Sequence, residues 1–234
     1  ARFGDYASPQ YGTIKSSENY ERRFIMTFPN ETLPKGRKQK TTALYDRFVN
    51  QGAVMGDSFG LENVLWFANN KEDAHEEPTI KRSRSHDYVS REVINVRENV
   101  GLIEVANFSK HEFKGTDARK FLDHVMAGKL PKPGRISLSP MLSYRGKLCG
   151  DLTVACFDEN EFMVFGSGAA QEMHRRWFES HLDKFDVNYK NRSDEFHGIS
   201  IAGPNSRKVL EKIVRDDVSN EKFKFRDSRR MFVG

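Results

Sequence analysis

Cysteine is almost missing from this chain, with only Cys149 and Cys156 among 234 residues. They stand seven apart on one expected strand, and an odd separation points them to opposite faces, against a bridge between them. Without a disulfide framework or a CxxC spacing, a reducing compartment is expected: the cytoplasm, or the mitochondrial matrix in a eukaryote. No apolar run approaches the length of a membrane span. The first residues lack the basic-then-apolar pattern of a secretion signal, so no membrane association is expected. GxSxG, P-loop and HExxH motifs are also missing. The seven histidines are scattered. His75 lies in the acidic loop DAHEE without companions at ligand spacing, and no metal is expected there. His174 and His181 share a helix face but lack a third ligand, which predicts surface or edge positions.

What is present is a polar, charged chain, 37% hydrophobic and 30% charged with a net charge of +5. Its length allows one large domain or two small ones. Basic residues cluster at 35–40, 81–84 and 226–230, but acidic residues punctuate the rest. No nucleic-acid-binding module is recognisable, so a polyanionic small ligand accounts for the charge equally well and no nucleic-acid partner is expected. The chain opens at Ala1 and stops just after an apparent strand at 230–233, and so reads as a piece of something longer.

Periodicity and punctuation give a coarse map. A short helix is expected over 9–20, followed by irregular chain marked by Pro29, Pro34 and Gly36 and a Lys-rich linker ending at Lys40. Thr42 is placed to cap a helix carrying Leu44, Tyr45, Phe48 and Val49 on one face and ending at Gly52. Residues 69–83 read as a surface loop. A helix over 87–99 repeats Val89, Val93, Val96 and Val100 at core spacing. Strands are expected at 102–108 and 112–114, then a helix capped by Thr116 and closed by Gly128. A hairpin follows at 135–142 and 148–157, a strand at 161–165, and a helix over 169–183. Strands at 185–189 and 198–202 precede a helix with Pro204 in its first turn. Hairpins mixed with single helices indicate an α+β fold with largely antiparallel sheets.

Chemistry concentrates in one hairpin, GRISLSPMLSYRGKLCGDLTV, from Gly134 to Val154. Ser143–Gly146 reads as its tight turn. Asp151 lies in the middle of the second, apolar strand, where aspartate is depleted and costly to bury unpaired. It either points to solvent across a one-sided sheet or lines a site that needs negative charge. In a partly dry pocket such a carboxylate attracts a cationic or proton-sharing nitrogen without a metal. The GSGAAQ turn at 166–171 lacks the third glycine of a dinucleotide-binding motif and lies outside any clear βαβ unit. It reads as a plain strand-to-helix turn.

Three runs then carry a resemblance. Residues 23–68 (RFIMTFPNETLPKGRKQKTTALYDRFVNQGAVMGDSFGLENVLWFA) resemble the junction of the flavin and folate halves in the dimethylglycine/sarcosine dehydrogenase family. Residues 100–154 look like the start of that family's folate-binding portion, which is similar to the glycine cleavage T protein, an aminomethyltransferase. GISIAGPNSRKVLEKI (198–213) continues the similarity. The resemblance implies a T-protein-like fold that is incomplete at its C-terminus. Residues 1–40 would be the tail of a flavin-oxidoreductase domain and a linker, and 41–234 the N-terminal part of the folate-binding domain. It implies a methylamine substrate, tetrahydrofolate as acceptor and 5,10-methylenetetrahydrofolate as product. FAD would be held by a flavin domain in the same longer chain or by a separate subunit. The family's functional aspartate matches Asp151, with Leu138, Met141, Phe165 and Gly166 as walls of the folate site. Two positions depart from the T-protein pattern: its tyrosine falls at Leu138 and its folate-contacting asparagine at Gly166. A T-protein-like aminomethyltransferase, or a folate-binding relative without the reaction, is the alternative.

Overall fold

A computed structural model describes residues 8–29 and 31–234. The expectations for residues 1–7 lie outside the described residues. The chain divides into two compact units, the first reaching Glu104 and including 200–204, the second holding 105–199 and 205–234. This division falls well beyond residue 40. Residues 8–40 pack within the first unit.

That unit begins with α1 (Pro9–Glu21), whose N-cap Ser8 accepts a hydrogen bond from the Tyr11 amide. Glu18 is buried and accepts from the Lys35 amide (2.7 Å) and the Lys15 ammonium (3.0 Å), which ties α1 to the following irregular chain. After α2 (Tyr45–Asn50), the strands β1 (Ala53–Ser58) and β2 (Leu61–Phe67) form an antiparallel hairpin. Sequence reading missed this hairpin. Its small core is Val54, Trp66 and Ala68, with Tyr88 stacked 4.8 Å from the Trp66 ring. Arg37 donates to the buried carboxylate of Glu62 at 2.8 Å and to the Met55 carbonyl at 3.0 Å, so the buried charge is paired. The helix expected from Thr42 starts three residues later, and its N-cap, Leu44, makes no side-chain cap bond.

Helix α3 (Ser85–Glu98) forms as expected but buries none of its residues. Val89 and Val93 remain 37% and 46% exposed, so their core spacing does not mark a core here. The helix is held by polar contacts, among them the Phe67 amide donating to Glu92 (3.0 Å) and the Tyr88 hydroxyl donating to Asp73 (2.6 Å). β3 (Gly101–Glu104) pairs with β9 (Ile199–Ala202) in a second, two-stranded sheet.

The second unit is built on a five-stranded sheet. In chain order its strands are β4 (Ser109–Lys114), β5 (Arg135–Leu142), β6 (Leu148–Asp158), β7 (Glu161–Gly166) and β8 (Asn188–Asn191). Their order across the sheet is β5-β6-β7-β4-β8, with every neighbouring pair antiparallel. Alternation along the strands sends Phe113, Met141, Leu152, Val154, Cys156, Phe162 and Val164 to one face. There they meet Ala118, Phe121, Leu122 and Val125 of α4 (Ala118–Val125) and Phe178 of α5 (Gln171–Glu179). Phe113 lies 5.3 Å from Phe121 and 5.0 Å from Phe178, so three rings from three elements lock the layer together. α6 (Ser206–Ile213) follows β9.

Several element ends differ from the sequence reading. Thr116 does not cap α4, because its hydroxyl donates to Asp186 (2.7 Å) and Asp117 takes the N-cap position. Pro204 lies before the N-cap Asn205 rather than in the first turn of α6. The long helix over 169–183 is α5 flanked by single 3-10 turns at 168–170 and 182–184. The α+β, largely antiparallel fold class stands, and both cysteines are free.

Candidate functional site

The hairpin carrying Asp151 forms in the expected register, with Pro140 opposite Asp151, Leu138 opposite Thr153 and Met141 opposite Gly150. Gly146 takes φ +69° in its turn, where the Gly146 amide donates to the Ser143 carbonyl at 2.8 Å. Register then decides which residues can act together. Residues directly opposite in an antiparallel pair share a face. Phe165 pairs with Thr153, which in turn pairs with Leu138, so these three project from the face that also carries Pro140 and Asp151. Met141 and Gly166 project from the other face. Met141 is fully buried in the hydrophobic layer, and a Cβ on Gly166 would meet Leu152 at 2.6 Å and the His174 ring at 2.9 Å.

The five candidate residues therefore do not wall one cavity. Leu138 and Phe165 stand with Asp151, whereas Met141 and Gly166 belong to the core layer. The expected partly dry pocket around Asp151 is also corrected, because its side chain is exposed. Strand alternation explains this: Leu152 and Val154 fill the core, and Asp151 is forced to the opposite, open face.

That open face carries a groove. Two residues along the strand from Asp151, Thr153 forms part of its floor with Ile136 and Leu138. The groove encloses about 490 Å³ and is walled by Phe223 and Phe225, with Arg207, Lys224 and Arg226 on its rim. The wall is held at the edge of β5 by two backbone bonds, from Ile136 to the Arg226 carbonyl and from Ser228 to the Gly134 carbonyl, both 2.9 Å. Arg135 and Asp227 add an ion pair. Asp227 also accepts from the Lys224 amide at 2.8 Å. That amide and the Arg135 guanidinium hold the Asp227 carboxyl below the usual carboxylate range. The acidic group of the rim is thus committed locally, and the groove keeps an excess of positive charge.

Sequence reading did not bring Arg207 and residues 223–227 to this site. The signal was visible as the basic cluster 226–230 and the helix after Pro204, but nothing local connects either to the Asp151 hairpin. His174 is a further correction: expected at the surface or an edge, it is 2% exposed. The Gly168 position in the GSG turn is filled at its back by the Asn107 carbonyl, 1.9 Å from where a Cβ would stand. This glycine serves chain packing. Among the described residues no group of three or more His, Cys, Asp or Glu is placed to hold a metal ion. Nor is any described helix long and apolar enough to cross a membrane.

An antiparallel sheet with a helix layer on one face, and on the other an exposed carboxylate near a cation-rimmed groove, defines an α+β domain. Comparison with known proteins specifies which one. The model of the GCVT N-terminal domain matches residues 44–234, and the chain belongs to that family. Mitochondrial dimethylglycine dehydrogenase of Homo sapiens is 33% identical over 236 residues, covering 99% of this chain and 27% of the relative. An aminomethyltransferase of Thermosipho melanesiensis is 29% identical, covering 76% of this chain and 45% of its own. The crystal structure of glycine cleavage system aminomethyltransferase T from Bartonella henselae shares the fold, with a TM-score of 0.59 at 19% identity, covering 74% of this chain and 43% of that one. The chain thus spans about a quarter of the length of the dimethylglycine dehydrogenase it matches.

Proposed function

We propose that this chain is the tetrahydrofolate-binding, one-carbon-transfer portion of a dehydrogenase that demethylates an N-methyl amine of the dimethylglycine or sarcosine type. The product would be 5,10-methylenetetrahydrofolate. The observation that carries this reading is the groove beside Asp151, with its apolar floor and rim of Arg207, Lys224 and Arg226. A folate is a flat heteroaromatic and benzoyl body ending in carboxylates. Its chemistry matches an apolar floor, phenylalanine walls and terminal cations, and the groove volume falls within the usual range for ligand sites.

When bound, tetrahydrofolate supplies the two amine nitrogens that take up the one-carbon unit. Phe223 and Phe225 would cover the ring system and restrict water. Arg207, Lys224 and Arg226 would hold the carboxylates. The Asp151 carboxylate would orient the reacting end and favour positive charge developing on its nitrogens. Residues 1–40 would continue a flavin domain. FAD and the methylamine would be handled there or by a separate flavin subunit.

Calorimetric titration of the chain with tetrahydrofolate tests the reading. Charge reversal at the rim, Arg207→Glu, should weaken binding at least tenfold. Asp151→Ala should abolish methylene transfer in the presence of the flavin portion. Unchanged binding and transfer in both variants would refute the assignment.

A T-protein-like aminomethyltransferase or a folate-binding relative without the reaction is the second reading. Gly166, at the position of the T-protein asparagine, favours the relative without the reaction and counts against a T-protein-like aminomethyltransferase, because the His174 ring and Leu152 leave no room there for a side chain. Folate affinity without one-carbon transfer would select the non-catalytic form.

A further inference from the structure

The core face of the five-stranded sheet carries a polar knot that folate chemistry does not use. Ser109 and His111 are fully buried and His174 is 2% exposed. Ser109 pairs with Gly166 and His111 with Val164, so both β4 side chains stand on the face where His174 descends from α5. His174 fits there because β6 and β7 each offer a glycine. A Cβ on Gly150 would lie 2.8 Å from its Nε2, and a Cβ on Gly166 would lie 2.9 Å from its Nδ1.

Protein partners satisfy only part of this knot. The Tyr189 hydroxyl lies 2.8 Å from His111 Nδ1. Ser109 Oγ, His111 Nε2 and both ring nitrogens of His174 have no protein hydrogen-bond partner. Leaving a buried polar atom unpaired costs about 1–3 kcal/mol, and internal water is the usual remedy where several such atoms converge. Burial keeps the Tyr189 phenol protonated well above its ordinary range, and its hydrogen bond with His111 Nδ1 leaves Nε2 without a protein partner.

The spacing of the two rings selects the occupant. Their centres lie 6.2 Å apart with planes at 73°. A direct N–H···N bond at about 2.9 Å would draw the ring centres to roughly 5 Å, which is too short. The wider separation leaves room for an oxygen that bridges a nitrogen of each ring. A metal ion is disfavoured, since no third His, Cys, Asp or Glu joins the two rings among the described residues.

We propose that Ser109, His111 and His174 hold one internal water molecule. It bridges His111 Nε2, His174 Nδ1 and Ser109 Oγ, buried atoms that have no protein partner. The water fastens α5 to β4. This site is independent of the folate reading.

The test is water-to-ring magnetisation transfer on the histidine-labelled chain at neutral pH, checked by an atomic-resolution crystal structure. Long-residence water contacts are expected at the His111 and His174 ring protons and at neither His75 nor His86, whose side chains are 52% and 46% exposed. His111→Phe should remove the contact at His174. Absence of long-residence water at both rings of the unaltered chain would overturn the proposal. So would a direct ring-to-ring hydrogen bond in the crystal, or a shift of both rings on adding one equivalent of Zn²⁺. Reliance on the unaltered chain keeps the test decisive even if a variant fails to fold.

Discussion

The two faces of the five-stranded sheet are made by the same strands yet obey different rules. One face takes alternate residues from β4 to β7 and buries them as a continuous apolar layer against α4 and α5. The other alternates out of phase: it buries Ala155 and Met163 at its centre, is polar along β4 and borders the groove at β5. Near β4 it carries Lys114, paired with Glu112 at 3.1 Å and Glu161 at 2.9 Å. Near β5 it carries Leu138, Thr153 and Asp151 beside a basic rim. A period of two gives one chain both a rigid floor and a chemically free surface, and the floor is what fixes the position of that surface.

The contrast predicts a wide separation in stability effects. Phe121→Ala removes a fully buried ring packed on Phe113, Phe178 and Phe185. It should cost about 3–5 kcal/mol in urea unfolding. Leu138→Ala, on a side chain 63% exposed, should cost under about 1 kcal/mol in the same measurement. Equal losses would show that the open face is covered and that the two faces do not differ.

Next in size is the glycine pair. Gly166→Ala places a methyl 2.6 Å from Leu152 and 2.9 Å from His174, and should destabilise by about 1–3 kcal/mol through overpacking. The Leu152 contact persists when the histidine is shortened, so Gly166→Ala combined with His174→Ala should recover only part of the loss. Gly150→Ala meets His174 Nε2 at 2.8 Å and Leu152 only at 3.4 Å, so its rescue by His174→Ala should be nearly complete. A double-mutant cycle measures both couplings.

The buried histidines extend the comparison to pH. Burial, reinforced by the nearby His174, lowers the His111 pKa to about 3, and burial also lowers that of His174. Both folded-state values lie below the unfolded one, so the unfolded chain binds protons first as pH falls. The stability from these neutral rings is present above about pH 6.5 and is lost progressively as pH falls toward the folded-state values. The slope is up to about 1.4 kcal/mol per pH unit for each ring. Urea midpoints at neutral and mildly acidic pH should differ accordingly, and His111→Phe should flatten the dependence. A pH-independent midpoint would mean that the knot is already charged or open.

The strands and the Asp151 hairpin were legible in the sequence because their signals are local. A period-two run, a turn glycine and an aspartate among apolar residues lie within one stretch of about twenty residues. What stayed hidden depends on register and on distant chain. The opposite orientations of Leu138 and Met141 follow from their odd separation, but which face is buried is set only by α4 and α5. The β1–β2 hairpin was missed because Val54–Ser58 and Leu61–Phe67 mix charged and glycine positions into a weak alternation. Phe223–Asp227 reach the groove through backbone pairing of Arg226–Ser228 with β5, and Arg207 reaches it on α6, both from distant chain. His174 was misplaced because its burial depends on two glycines in other strands, a signal visible only once those strands are aligned.

The smallest expected effect on stability is also the sharpest test of the open face. Asp151 is exposed, and Asp151→Asn keeps its shape while removing its charge, so unfolding should change by less than about 0.5 kcal/mol. If the carboxylate orients a folate nitrogen, the same substitution should cut one-carbon transfer by two orders of magnitude or more, the scale of losing one preorganised electrostatic contact. Tetrahydrofolate affinity, held mainly by the groove and the cations of its rim, should fall much less. Arg207→Glu should invert that pattern, with a large loss of affinity and a modest effect on transfer at saturating folate. Stability unmoved in both variants, with affinity and transfer separated between them, is what a free chemical surface on a rigid floor requires. A joint collapse of stability and binding in Asp151→Asn would instead make the aspartate part of the floor.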